Sequence, residues 1–193
     1  MRGSKRRNEI IEAAHRILKA EDSTGLSARK VAQEAGVSPA SVIYHFGDID
    51  SLMRATMESV LENLVASNVS INKTSRDPAG QLRATIDRSI PDEIDGRLRI
   101  LFEQLSHIRR SPEAVREHQA AVDWQVDLYE EIILTGVNAG LWQPSVPPRQ
   151  LGETLVALAS VANLYMLVGF AGDAASHRSR MADLASALLG TSI

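Results

Sequence analysis

The sequence predicts an all-α protein of about nine helices, a three-helix N-terminal unit followed by a longer helical body. Three observations predict it. Apolar residues recur at three- and four-residue spacing along most of the 193 residues, no alternating strand pattern of useful length appears, and Ser, Pro and Gly fall where helices should start and stop.

The elements follow in order. Over residues 8–21, Ile10, Ile11, Ala14, Ile17 and Leu18 form one apolar stripe. Ser27 is placed to cap a short helix that runs through Ala35 and stops at Gly36. Ser38 and Pro39 open the next helix, to about Phe46, with serine as N-cap and proline at the first helical position. Gly47 and Asp48 start a longer one over about 48–70, carrying Leu52, Met53, Val60, Leu61, Leu64 and Val65, and the polar stretch 70–78 breaks the chain. Helices near 79–90, 93–109, 113–139, 149–171 and 175–189 complete the pattern. Their ends are marked by Pro91, Ser111-Pro112, Gly140, the run 144–148 and Gly172-Asp173. The motif boundary assigns residues 1–50 to the first domain and 51–193 to the second.

Composition narrows the function. With 44% hydrophobic and 23% charged residues the chain is neither disordered nor too short for a core. The absence of cysteine excludes disulfides, thiol nucleophiles and Cys-based metal sites, and fits a reducing, cytoplasmic setting. A net charge of −3 argues against a polyanionic partner only until it is divided. Residues 1–54 hold nine Lys/Arg against seven Asp/Glu, while the remainder holds twelve against seventeen. Arg2, Lys5, Arg6 and Arg7 precede any acidic residue, giving a basic tip on an acidic body. This arm runs into an amphipathic helix rather than an apolar segment, so no secretory signal is expected. Residues 154–172 carry no charge over 19 positions, but Ser160, Asn163 and Gly169 dilute them and no anchoring residues flank them. They read as a helix buried within protein, and no membrane partner is expected.

The informative stretch is 26–46, LSARKVAQEAGVSPASVIYHF. Two short helices joined through Gly36 by so short a turn cannot lie antiparallel; they meet at the steep angle of a helix-turn-helix. Ala32 is small where the helices cross, Gly36 can take the positive φ of the turn, and Val31, Ala35, Val37, Val42 and Phe46 form the seam. Pro39, Ala40, Ser41, Tyr44 and His45 are left outside, a polar-and-small face able to enter a major groove. Ser27 and Ser38 sit at helix N-termini, where amides and dipole favour a phosphate. Arg29 and Lys30 can reach the DNA backbone or a guanine edge, and Arg6 and Arg7 belong to the basic arm. His45 has two readings, local packing or phosphate contact.

On these residues the sequence resembles the tetracycline-repressor (TetR) family of transcriptional regulators, over about 6–60 and centred on GLSARKVAQEAGVSPASVIYHF with Leu52 following. The resemblance implies a homodimer whose N-terminal domain binds double-stranded operator DNA and whose C-terminal domain binds a small-molecule effector that releases it. Two positions depart from the family pattern. Ile43 stands where a phosphate-contacting Tyr is usual, with Tyr44 one residue later, and Asp48-Ile49-Asp50 stands where a Lys commonly begins the fourth helix. Two carboxylates suit a helix N-terminus but repel a phosphate.

In the body, six of the eight aromatic residues lie beyond residue 100. Phe102, His107, Trp124, Tyr129, Asn163 and Met166 are the candidate effector contacts, apolar surface with a few polar groups. Helix 149–171 is rich in small residues, and helix 175–189 offers Met181, Leu184, Ala185, Leu188 and Leu189 as a stripe. Two such pairs related by a two-fold would close a four-helix bundle and make the operator a near-palindrome. The expectation is therefore a ligand-responsive regulator, in repressor mode, released by a small apolar or amphipathic molecule through the 48–70 helix. The rivals are a helical interaction module that has lost specific DNA binding and a helical-bundle enzyme. With no phosphate loop, nucleophile elbow or paired histidines at ligand spacing, no catalytic residue, cofactor or metal is expected. A site from Glu103, His107 and Glu117 is the weakest metal alternative.

Overall fold

The computed structural model describes residues 2–20, 26–56, 58–59, 77–94, 96–103, 105–170, 172–191 and 193, and among them all regular structure is helical. Packing divides the chain into two compact units, Met1–Leu64 with Asp95–His107 and Val65–Ile94 with Ile108–Ile193. The first unit, the head, thus takes in more than the motif boundary at residue 50 assigned to it.

In the head, α1 spans Arg2–Ala20, α2 Ala28–Ala35 and α3 Pro39–Phe46. A fourth helix, α4, covers 49–56 and is helical again at 58–59; the rest of the predicted 48–70 helix lies outside the described residues. α1 begins well before residue 8, so the basic arm is itself helical. Lys and Arg are good helix formers, and an exposed Arg6–Glu9 pair at 2.8 Å spans the second turn. Ile10, Ile11, Ala13 and Ala14 of α1 meet Val31, Ala32, Val42, Leu52 and Ala55 in one small core. α6 (Gly96–Glu103) packs against α1, which draws this segment into the head.

Within the predicted helix 93–109 the described residues are helical at α6 and at α7 (Leu105–Ile108), with residue 104 outside them. Glu93 and Ile94, where that helix was expected to begin, are not helical. Arg178 holds the Ile90 carbonyl at 3.0 Å and also grips the Asp92 carboxylate, so this segment is committed to the second unit.

In the body, α5 covers Pro78–Ser89, α8 Pro112–Asn138, α9 Pro148–Leu167 and α10 Ala174–Leu189. Asp77, Ser111 and Asp173 cap α5, α8 and α10 through their side chains, two of these starts carrying proline in the first turn. The core joins Leu82 and Ile86 of α5, Val126, Tyr129 and Ile133 of α8, Leu151 and Leu155 of α9, and Met181, Ala185 and Leu189 of α10. Two glycines permit close approaches between neighbouring elements. A Cβ on Gly136 would lie 2.1 Å from Trp142 Cε3, so the buried indole rests directly on α8. At Gly152 a Cβ would meet the Val126 carbonyl oxygen at 3.1 Å, where α9 crosses α8.

Two predictions for the body need correction. α9 stops at Leu167 rather than 171, because Gly169 turns into the left-handed region at φ 73°. Most of the 175–189 stripe is not left for a partner: Met181, Ala185 and Leu189 are fully buried in the protomer's own core, and Leu184 and Leu188 are half-buried. α9 presents the exposed apolar residues instead, Leu158, Val161, Leu164 and Tyr165, with Val168 and Phe170 just beyond its end. Among the described residues no helix is long and apolar enough to cross a membrane.

Candidate nucleic-acid interface

The interface is set by how α3 is held. Ser27 Oγ accepts the Lys30 amide at 3.3 Å to start α2. Gly36, at φ 65° and ψ 36°, ends α2 in the left-handed conformation, and Val37 N–H returns to the Ala32 carbonyl at 2.9 Å. Two residues after Gly36, Ser38 Oγ accepts the Ser41 amide at 3.2 Å and α3 begins at Pro39. Val42 is completely buried and Phe46, one turn on, is half-buried against the same core. The opposite side of α3 must therefore face solvent.

On that side Pro39 and Ala40 are exposed, Ser41 and His45 are half-buried, and Tyr44 is 86% exposed. The Tyr44 ring stands edge-on to His45 with centroids 5.3 Å apart. Ile43, noted in the sequence only as a departure from the family pattern and not among the outward residues, joins this face at 43% exposed. The helical angle carried the missing signal, since Ile43 lies one turn from Pro39 and Ala40 and away from Val42.

The charged groups around α3 are partly committed. Arg29 and Lys30 are exposed on the first turn of α2. Arg6 pairs with Glu9, and the Arg7 guanidinium sits 5.1 Å from the Phe46 ring centroid, tying the start of α1 to the end of α3. Asp48, one of the two acidic departures, accepts the Ser51 amide at 2.7 Å. Hydrogen bonds from Ser51 hold its carboxyl below the usual range, so it serves as the N-cap of α4.

Residues 10–56, from the first buried residue of α1 through α4, match the family described as bacterial regulatory proteins, tetR family. Over that segment the chain is similar to the tetR family. The HTH-type transcriptional regulator BetI of Burkholderia ambifaria is 35% identical over 88 residues, 45% of this chain and 45% of that protein. BetI of Burkholderia thailandensis is 34% identical over the same length and shares. The likeness thus spans about half the length of the curated relatives it matches.

Solved structures extend the likeness in fold. A TetR transcription regulator from Haloarcula marismortui superposes with a TM-score of 0.86 at 21% identity, covering 96% of this chain and 99% of the other. A protein from Saccharomonospora viridis, solved in complex with choline, superposes with a TM-score of 0.84 at 19% identity over 94% and 95% of the two chains.

The predicted effector residues fall in both units. Phe102 is half-buried in the unit that contains the head, and the His107 side chain lies outside the described residues, as does that of Glu103 from the metal alternative. Trp124, Tyr129, Asn163 and Met166 belong to the other unit, with Trp124 and Met166 half-buried against its core. Tyr129 is a core residue, 2% exposed. Its hydroxyl meets Ser89 Oγ at 2.6 Å, and either oxygen can be the donor. Burial pushes the Tyr129 phenol up to about 12, against the opposing influence of Ser89 and Arg88.

Asn163 is 5% exposed and donates Nδ2–H to the Ser89 carbonyl at 2.8 Å. A carbonyl only accepts, so this bond fixes which end of the amide faces Ser89. The Asn163 Oδ1 atom is buried without a hydrogen-bond partner among the described residues. A separate cleft of about 310 Å³ opens between α5 and α10, bordered by Arg83, Ile86, Arg178 and Asp183 and by none of the predicted effector residues.

Proposed function

We propose that the chain is a transcription regulator, acting in the cytoplasm as a repressor, whose homodimer holds a near-palindromic operator and leaves it when a small apolar or amphipathic molecule binds the body. The observation that carries the DNA reading is the outward face of α3, with Tyr44 at 86% exposure opposite the fully buried Val42. Arg29 and Lys30, exposed at the start of α2, supply phosphate contacts beside it. The Asp48 carboxylate, capping α4, adds local negative charge that these cations must outweigh.

The exposed apolar residues of α9 support the dimer. Leu158, Val161, Leu164 and Tyr165 lie on one side of that helix, and a second copy would remove them from water. For the effector, the support is the open acceptor of Asn163, in the unit whose core Trp124 and Met166 pack against. A neighbour of the same fold holds choline, which makes choline the first compound to try.

The test uses the full chain and labelled duplexes from the regions flanking its own gene. Binding should be tight and fall steeply with salt as counterions are released. Arg29→Ala combined with Tyr44→Ala should weaken it at least about tenfold while leaving the melting temperature unchanged, since both side chains are exposed. Absence of salt-dependent binding to any such duplex would remove the regulator reading in favour of an interaction module. Sedimentation should show a dimer, and Val161→Asp should give monomers; a monomeric parent chain would overturn the assembly.

A further inference from the structure

The outward face of α3 is unusual in what it lacks. Its side chains are those of Pro39, Ala40, Ser41, Ile43, Tyr44 and His45. None offers the paired donors or donor–acceptor pair with which Arg, Asn or Gln grips a guanine or adenine edge in the major groove. Ser41 is half-buried and has its amide donated to Ser38. What the helix does project is hydrocarbon: the Pro39 ring, the Ala40 methyl and Ile43, an aliphatic residue 43% exposed beside the buried Val42. Ile43 gains little from burial in the head, and a hydrocarbon branch has nothing to give a phosphate. In the major groove one base-edge group rewards such a surface, the 5-methyl of thymine.

We propose that Ile43, together with Ala40 and Pro39, reads thymine 5-methyl groups in each operator half-site. Base selection by α3 then rests on apolar contact, while the exposed cations at the start of α2 set position on the phosphates. The inference rests on the reading of α3 as the groove-binding element and goes beyond it by naming the base and the chemical group recognised.

The experiment selects duplexes from a random pool with the full chain, then replaces each thymine of one half-site singly by deoxyuridine. That exchange deletes the methyl and nothing else. At one or two positions it should weaken binding about fourfold, the factor that loss of one buried methyl group implies. Ile43→Ala, an exposed change whose melting curve should match the parent, should abolish that penalty at one of those positions while binding elsewhere in the site is unaltered.

Deoxyuridine tolerated at every thymine would overturn the proposal, as would a penalty that persists undiminished in Ile43→Ala. In both cases specific binding survives, so the regulator reading stands while the inference falls. If the pool yields no preferred sequence at all, the reading of α3 as a groove-binding element falls, and the inference with it.

Discussion

In the head, the decisive hydrogen bonds close within three residues: Lys30 to Ser27, Ser41 to Ser38 and Ser51 to Asp48. In the body they reach across the chain, from Asn163 to the Ser89 carbonyl, from Arg178 to Ile90 and from the Ser145 amide to Leu188. The cores differ in the same way. The head buries small residues such as Ala13, Ala14, Ala32 and Ala55 among a few aliphatics, whereas the body seats an indole on a bare helix at Gly136. Local closure lets the head present a surface set by a few adjacent residues. Long-range closure makes the body respond as one unit to a change anywhere in it.

The comparison predicts a graded series of responses. The largest belongs to Gly136→Ala, whose new methyl would sit at 2.1 Å from the Trp142 ring. Overpacking of this kind should cost about 3 kcal/mol or more, read as a shifted urea midpoint or as failure to accumulate folded protein. A variant as stable as the parent would break the contrast outright.

Next comes Tyr129. Its raised phenol means that neutral Tyr129 stabilises the fold fully below the ordinary tyrosine value and that this contribution is lost as pH rises through about 12. Alkaline titration should therefore destabilise the body by on the order of 2 kcal/mol near that pH. Tyr129→Phe should flatten the alkaline limb at the expense of the Ser89 hydrogen bond near neutrality. An unchanged limb would show that Tyr129 is not sealed in the core.

Ser38→Ala should cost about 1 kcal/mol, the usual worth of an N-cap, and should also weaken operator binding because α3 loses its anchored start. The smallest effect is assigned to Asp48→Asn. The Asp48 carboxylate is lowered by its Ser51 hydrogen bonds, so its contribution is present above the ordinary carboxylate value and disappears as pH falls through the lowered native one. The variant should lose only the acid part of the stability profile, seen in thermal melts at descending pH. A larger loss from either head variant than from Gly136→Ala would invert the comparison.

The same distinction explains what the linear sequence could disclose. Ser27, Gly36, Ser38 and Pro39 were legible because capping and left-handed turns are chemistry between near neighbours, and the structure places all four where that chemistry requires. The start of α1 was not, since a basic first turn has no apolar stripe to mark it. The outward position of Ile43 was available in its helical angle, although the residue had been noted only as a departure from the family pattern. In the body, nothing in the linear order could pair Tyr129 with Ser89, forty positions away. The stripe on 175–189 was visible, but whether it faces its own α5, α8 and α9 or a partner is decided by packing alone. Asn163 lies between these cases. Its need for a partner could be read from an uncharged helix; the partner for its Nδ2, a carbonyl at the end of α5, could not.

Trp142, pressed onto α8 at Gly136, has a spectroscopic consequence. The only other tryptophan in the 193 residues is Trp124, half-buried against the same core, and neither belongs to the head. Indole emission from the native chain is thus a built-in label for the body alone, while peptide circular dichroism counts the helices of both units. Recorded together during denaturation, the two signals measure directly whether the head melts with the body or apart from it.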